Sequence, residues 1–172
     1  MTMRLYHFTS LGHLPVIIST GGLWRGEVPV GDGSQSLRAT WLTTDPDPRG
    51  HGLDGSAADK REVRVTVVIP SSDRGLKQWL KFTRTSFGRL ADECVEQLVR
   101  TGGGKRKAET WYIYPDQIPP TEFRAIEIRR PDGSYTRLEP ADLATLVAHE
   151  GLEEAVRADF SEMRARMPSR AA

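Results

Sequence analysis

Three observations predict an α+β fold, a mixed and largely antiparallel sheet packed by helices. Stretches of β-branched and aromatic residues with alternating polarity recur along the chain, turn residues bracket them, and helical periodicity is confined to the segments between them. At 172 residues the chain suits one domain, 1–172, large enough to bury a core without disulfides or metal.

The elements follow in order. Arg4-Leu-Tyr-His-Phe-Thr9 reads as a strand, and Leu14, Ile17 and Ile18 recur at helical spacing in a helix that ends at Gly21-Gly22. Pro15 falls in the first turn of that helix, where a missing N–H is tolerated. Thr40-Trp-Leu-Thr-Thr44 is a second strand, closed by Asp45-Pro-Asp-Pro48, and the aperiodic stretch 49–59 predicts a mobile loop. Glu62–Pro70 is the clearest strand, with Val63, Val65, Val67 and Ile69 in alternation. Residues 74–100 read as mainly helical, with Ser86 as a cap and Leu90, Val95, Leu98 and Val99 as the buried stripe. Ala108–Ile118 predicts a strand on which Glu109, Trp111 and Ile113 share one face while Thr110, Tyr112 and Tyr114 share the other. Phe123–Arg129 and Tyr135–Glu139 flank Pro131-Asp-Gly-Ser as a hairpin, and helical periodicity from Pro140 runs into a frayed tail.

Composition removes several classes of function. The 24 Lys and Arg against 23 Asp and Glu, with 38% apolar residues, describe neither a disordered nor a membrane protein. No apolar run approaches a bilayer span, and Met1-Thr-Met-Arg-Leu-Tyr-His7 lacks a secretory apolar core, so a cytoplasmic protein is expected. The single cysteine, Cys94, excludes an internal disulfide and a cysteine-based zinc cluster, and reads as a packing residue. His13, His51 and His149 have no partner at metal-ligand spacing, so no metal site is expected.

Charge is nevertheless segregated. From Lys60 to Lys107 there are 12 Lys and Arg against 5 Asp and Glu, and from Ala108 onward 8 against 12. The basic middle ends in Thr101-Gly-Gly-Gly-Lys-Arg-Lys107, which predicts a flexible basic loop immediately before Glu109. A carboxylate in an otherwise apolar row is either a strand-end residue turned to solvent or a functional acid held against a cleft. Cations clustered just ahead of it favour a phosphate-bearing partner, with Lys105, Arg106 and Lys107 as candidate nucleic-acid contacts. Lys77, Trp79, Lys81, Phe82, Arg84 and Phe87 interleave bases with aromatics and extend that surface, unless the aromatics simply pack the core. On the first strand His7 and Thr9 share a face, where a histidine donating to a ribose hydroxyl and neighbouring backbone groups would suit nicotinamide recognition; a hydrogen-bonded structural histidine is the alternative.

The succession of Leu5-Tyr-His-Phe-Thr9, Leu14-Pro-Val-Ile-Ile-Ser-Thr-Gly-Gly-Leu23, Trp41-Leu-Thr-Thr44 and Ala108-Glu109 resembles the ADP-ribosyltransferase fold over most of residues 4–130, leaving a C-terminal hairpin and helices over 131–167. The first segment is similar to the His-Gly-Thr entry of poly(ADP-ribose) polymerases, and Glu109-Thr-Trp-Tyr-Ile-Tyr-Pro-Asp-Gln117 to their glutamate-led strand. The helix and the Ala-Glu pair also resemble bacterial DNA-thymidine ADP-ribosyltransferase toxins. The resemblance implies NAD as substrate, with His7 at a ribose, Thr9 and the Phe8 backbone at the nicotinamide amide, Arg38 at the diphosphate and Trp41 at the nicotinamide-stacking position. It implies Glu109 as the catalytic residue, holding the 2′-hydroxyl and stabilising positive charge at C1′ as nicotinamide leaves. It implies a nucleic-acid acceptor, DNA more than RNA, in a toxin or phage-defence setting with an antitoxin as a conceivable partner.

Phe8 replaces the glycine of the family pattern and Trp41 its usual tyrosine. A pocket rebuilt around them implies a second reading, an N-glycosidase that removes a base from nucleic acid without NAD, acting as a DNA glycosylase. An NAD hydrolase uses the same glutamate chemistry. A third reading is a non-catalytic nucleic-acid-binding domain.

Overall fold

The computed structural model describes residues 1–31, 35–53 and 58–147. The helices and frayed tail expected beyond 147, with His149, lie outside the described residues.

The backbone of the fold is the ladder between β1 (Thr2–Thr9) and β4 (Val63–Pro70), paired from Thr2 opposite Pro70 to Thr9 opposite Val63. Outward from β4 lie β7 (Phe123–Arg129) and β8 (Tyr135–Arg137). Outward from β1 lie β3 (Gln35–Thr43), β6 (Trp111–Tyr114) and the two-residue β5 (Lys77–Gln78), while β2 (Gly26–Val30) forms a hairpin with β3. The order is β5-β6-β3-β1-β4-β7-β8. Every pairing among the described residues is antiparallel, so the α+β class holds while the expected mixed character does not. A parallel pair needs a crossover that re-enters the sheet from the same end, and each strand here enters from the end opposite its neighbour.

Residues opposite each other in a ladder share a face, so the register sorts the core. Leu5, Leu42, Val63, Val65, Val67 and Ile69 form one cluster with Leu14 and Ile17 of α1 (Leu14–Ser19), Leu23 and Ile118. Ala39, Trp111 and Ile113 form another on the opposite face with Trp79 and Leu80 of α2 (Trp79–Phe87), Ala91, and Val95 of α3 (Asp92–Thr101). Pro15 occupies the first turn of α1, as expected.

The stretch 74–100 is less continuous than its periodicity predicts. Gln78 opens α2 by accepting a hydrogen bond from the Lys81 backbone N–H, so Ser86 lies within α2 and caps nothing. A 3₁₀ turn, Gly88–Ala91, separates α2 from α3 and shifts the phase of the apolar stripe: Ala91 is buried and Leu90 is 72% exposed. Asp92 and Glu93 in the first turn of α3 and Arg100 in its last suit the helix dipole. Trp79 is fully buried, which assigns it to the core, and Phe82 and Phe87 are half-buried against each other.

The turn expected at 45–48 and the expected glycine loop are built structures. In the first, Asp45 N–H donates to Thr43, Asp47 N–H to the Asp45 carboxylate and Arg49 N–H to the Asp47 carboxylate, so successive side-chain turns fix the chain from 45 to 49; of the loop expected over 49–59, residues 54–57 lie outside the described residues. In the second, the glycines follow α3 and lead into α4 (Lys105–Ala108). A Cβ on Gly102 would stand 2.1 Å from the Trp111 ring, and one on Gly103 would stand 2.5 Å from the Gly50 carbonyl oxygen. Gly102 and Gly103 are there because no side chain fits, whereas Gly104 stands in open space at a positive φ of 90°. Gly102→Ala therefore costs about 1–3 kcal/mol of stability by overpacking, read as a lowered urea midpoint at unchanged m-value. An unchanged midpoint would restore the flexible-loop reading.

Candidate active site

Glu109 is not on a strand. The chain from Lys105 is still helical when it reaches this residue: Glu109 N–H donates to the Lys105 carbonyl (2.9 Å) and Thr110 N–H to that of Lys107 (2.9 Å), and β6 begins at Trp111. The alternation expected to put Glu109 beside Trp111 and Ile113 thus applies to those two alone. The carboxylate is exposed and makes no hydrogen bond or ion pair among the described residues.

It lines an open groove of about 400 Å³ with Gln78, Leu80, Lys81, Arg84 and Lys105. Lys81 and Arg84 are three residues apart on α2 and so neighbours on its surface. Gln78 ties the two walls together: its Oε1 caps α2 while its Nε2 donates to the Glu109 carbonyl (3.2 Å). The groove therefore unites the expected acid with Lys81, Arg84 and Lys105. Lys77 and Arg106 are exposed outside its lining. Gln78 and Leu80 carried no sequence signal beyond their place at a helix start.

Lys107 is not available to a phosphate as expected. Its Nζ donates to the Asp45 carboxylate (2.6 Å) and to the Asp47 carbonyl (3.2 Å), with both side chains of the ion pair largely covered. Burial alone would raise the Asp45 carboxyl; the hydrogen bonds from Lys107 and the Asp47 backbone outweigh it and hold the group below the usual carboxylate range.

The residues assigned to NAD lie elsewhere. β1 and β3 share one ladder pair, Tyr6 opposite Thr43, and beyond it His7 bridges them through Nδ1 to the Trp41 carbonyl (2.9 Å). A carbonyl only accepts, so Nδ1 carries the proton; burial pushes the imidazole down to about 4, leaving the ring neutral and Nε2 an acceptor. A ribose hydroxyl would thus donate to His7, the reverse of the expected polarity. Thr9 shares the His7 face and is buried. Phe8 points to the other face and stacks on His51 (5.7 Å between ring centroids). The Trp41 ring packs against Trp79 (5.6 Å) and Trp111 (6.1 Å). Arg38 is exposed on the β2–β3 hairpin, opposite Glu27.

No hydrogen bond or ion pair among the described residues joins His7 or Thr9 to Glu109. The ladder pairs Tyr6 with Thr43 and Thr43 with Trp111, so β3 separates the His7 strand from the segment that Glu109 precedes. A ligand that engages both spans β3.

Among the described residues no three His, Cys, Asp or Glu side chains converge to hold a metal ion, and no helix is long and apolar enough to cross a membrane. No protein-family model matches the chain, no curated protein matches it, and no solved structure matches it.

The His7 environment yields a pH prediction. Its folded pKa lies near 4 against 6.5 in the unfolded chain, so the unfolded state binds the proton more readily and stability is lost as pH falls from about 6.5 towards 4. Between about pH 7 and pH 4.5, wild type should lose about 2–3 kcal/mol more unfolding free energy than His7→Gln, measured by urea denaturation. Equal losses in the two proteins would show that His7 is not desolvated.

Proposed function

We propose that the chain is an ADP-ribosyltransferase that cleaves the nicotinamide–ribose bond of NAD and modifies a nucleic acid, DNA in preference to RNA, in the cytoplasm. The observation that carries this reading is the exposed Glu109 carboxylate, unpaired among the described residues, in a groove walled by Lys81, Arg84 and Lys105. A negative substrate is drawn to the cations, and the one acid among them stands where positive charge would develop.

The residues divide the work. His7, with Nδ1 committed to the Trp41 carbonyl, presents Nε2 to a ribose hydroxyl. As the C1′–N bond breaks, its electron pair leaves with nicotinamide and C1′ becomes oxocarbenium-like. Glu109 lowers the energy of that state more than that of the ground state, and its hydrogen bond to the 2′-hydroxyl orients the sugar. A base nitrogen or oxygen of the acceptor then bonds to C1′ and releases its proton. Lys81, Arg84 and Lys105 hold the acceptor's phosphates without reading its sequence.

A second reading, an NAD-independent N-glycosidase acting on nucleic acid, is favoured by one feature: the half-buried Trp41 ring packs against Trp79 and Trp111, which leaves less of it for stacking on nicotinamide.

Mass spectrometry of DNA and RNA oligonucleotides, incubated with and without NAD, separates the two. NAD-dependent gain of an ADP-ribose mass supports the transferase, and NAD-independent loss of a base supports the glycosidase. Glu109→Gln should lower either turnover by at least about 10²-fold while leaving binding in place. Binding that persists in wild type and variant alike, with no product from either, would sink both and leave a binding domain. Lys81→Ala, Arg84→Ala and Lys105→Ala should each flatten the log K against log salt plot by about 0.7 for a single strand, whereas Lys107→Ala should lower stability and leave that slope alone. Equal slopes in all four variants would remove the groove from the contact surface.

A further inference from the structure

The segment that carries Glu109 is fixed from outside by a loop that the proposed chemistry does not use. Trp111 Nε1–H donates to His51 Nδ1 (2.9 Å), so that nitrogen is unprotonated and Nε2 carries the hydrogen, which it donates to the Asp47 carbonyl (2.9 Å). Lys107 donates to Asp45 and to the same Asp47 carbonyl, while Gly50 and Gly103 meet backbone to backbone. Thr110 closes the arrangement. Its hydroxyl donates to the Lys107 carbonyl (2.7 Å), which leaves its oxygen to accept from Thr43 (2.8 Å). Ala108, Glu109 and Thr110 therefore span a short bridge between Lys107 and Trp111, and the loop 45–51 grips both ends of it.

We propose that His51 is a positioning residue for Glu109: its neutral Nε2–H tautomer latches the loop 45–51 to Trp111, and protonation at Nδ1 opens the latch. An imidazolium would turn both ring nitrogens into donors and set Nδ1–H against the indole N–H. The groups facing the ring are Lys107 from α4, Asp45 and Asp47 from its own loop, the Trp111 indole from β6 and the Phe8 ring from β1. Arg49 is paired with Asp47. Burial, then the Lys107 charge 3.5 Å away, work against the imidazolium and outweigh the hydrogen bond to the Asp47 carbonyl and the two carboxylates. The ring is thus latched at neutral pH and released in acid.

This inference rests on the assignment of Glu109 as the reacting acid, and its test is chosen to stand apart from that assignment. In the ¹⁵N-labelled full chain, the Trp111 indole resonance and the exchange protection of the Thr110 amide are followed from about pH 7.5 to pH 4.5. In wild type the indole proton should shift and the protection factor should fall on the order of tenfold, the worth of about one lost hydrogen bond. His51→Gln retains a neutral acceptor and donor but does not titrate, and it should hold both signals constant. Constant signals in wild type, or the same change in His51→Gln, would overturn the proposal; if that variant folds poorly, the titration is repeated in His7→Gln, which removes the other acid transition, and constant signals there would overturn it as well. Where the oligonucleotide product forms, kcat should track the protection factor with KM unchanged, and His51→Gln should lose that acid limb. A latch that titrates in a protein without turnover at any pH would instead reject the reaction and keep the latch.

Discussion

The Trp111 indole is the contact on which the site-bearing half of the molecule depends. One edge of its ring fills the space where Gly102 lacks a side chain, its faces and rim meet Trp41 and Trp79, and its N–H is given to His51. Each neighbour comes from a different element: the end of α3, β3, α2 and the loop after β3. A large aromatic buried this way contributes area and geometry together, since indole pairs prefer tilted or edge contacts over face-to-face stacking. Because Glu109 lies two residues before this ring, the acid inherits the rigidity of the second core without being buried in it.

The other half of the sheet is held by a charge pair rather than a ring cluster. Arg64 and Glu127 face each other across β4 and β7 in a two-point bond of 2.9 and 2.8 Å, and Arg64 also lies 4.2 Å over the Tyr135 ring. Tyr135 in turn donates its hydroxyl to the Arg61 carbonyl, and burial raises that phenol to about 12. A mostly covered ion pair, with each guanidinium nitrogen making one hydrogen bond, adds specificity of register more than net stability. Here it joins directly opposed residues two positions from the register shift at Thr66 and Val67.

Much of the frame was legible in the sequence. Alternation located β1, β4 and β7, glycines ended α1, and Pro131-Asp-Gly-Ser marked the β7–β8 turn. What escaped were features decided by contacts distant in the chain. Gly102-Gly103-Gly104 reads as flexibility until Trp111 and Gly50 are placed against it. Lys107 reads as a free cation until Asp45, more than sixty residues earlier, takes it up. Leu90 fits a helical stripe only if the helix is unbroken, and the 3₁₀ turn breaks it. At the candidate site, Lys81, Arg84 and Lys105 gather around Glu109 as their charge pattern suggested, whereas the one-turn helix that keeps Glu109 off the strand left no periodic trace.

The single ladder pair between β1 and β3 bears on how this molecule can move. Elsewhere the sheet is stitched by runs of backbone hydrogen bonds, but at its centre one pair and the His7 side chain do the joining. The sheet is therefore two half-sheets meeting at a seam, β5-β6-β3 with β2 on one side and β1-β4-β7-β8 on the other. Spreading that seam would break few backbone bonds, so what joins the halves there is side-chain packing, with Leu42 of β3 in one cluster with Leu5 of β1 and Val65 of β4.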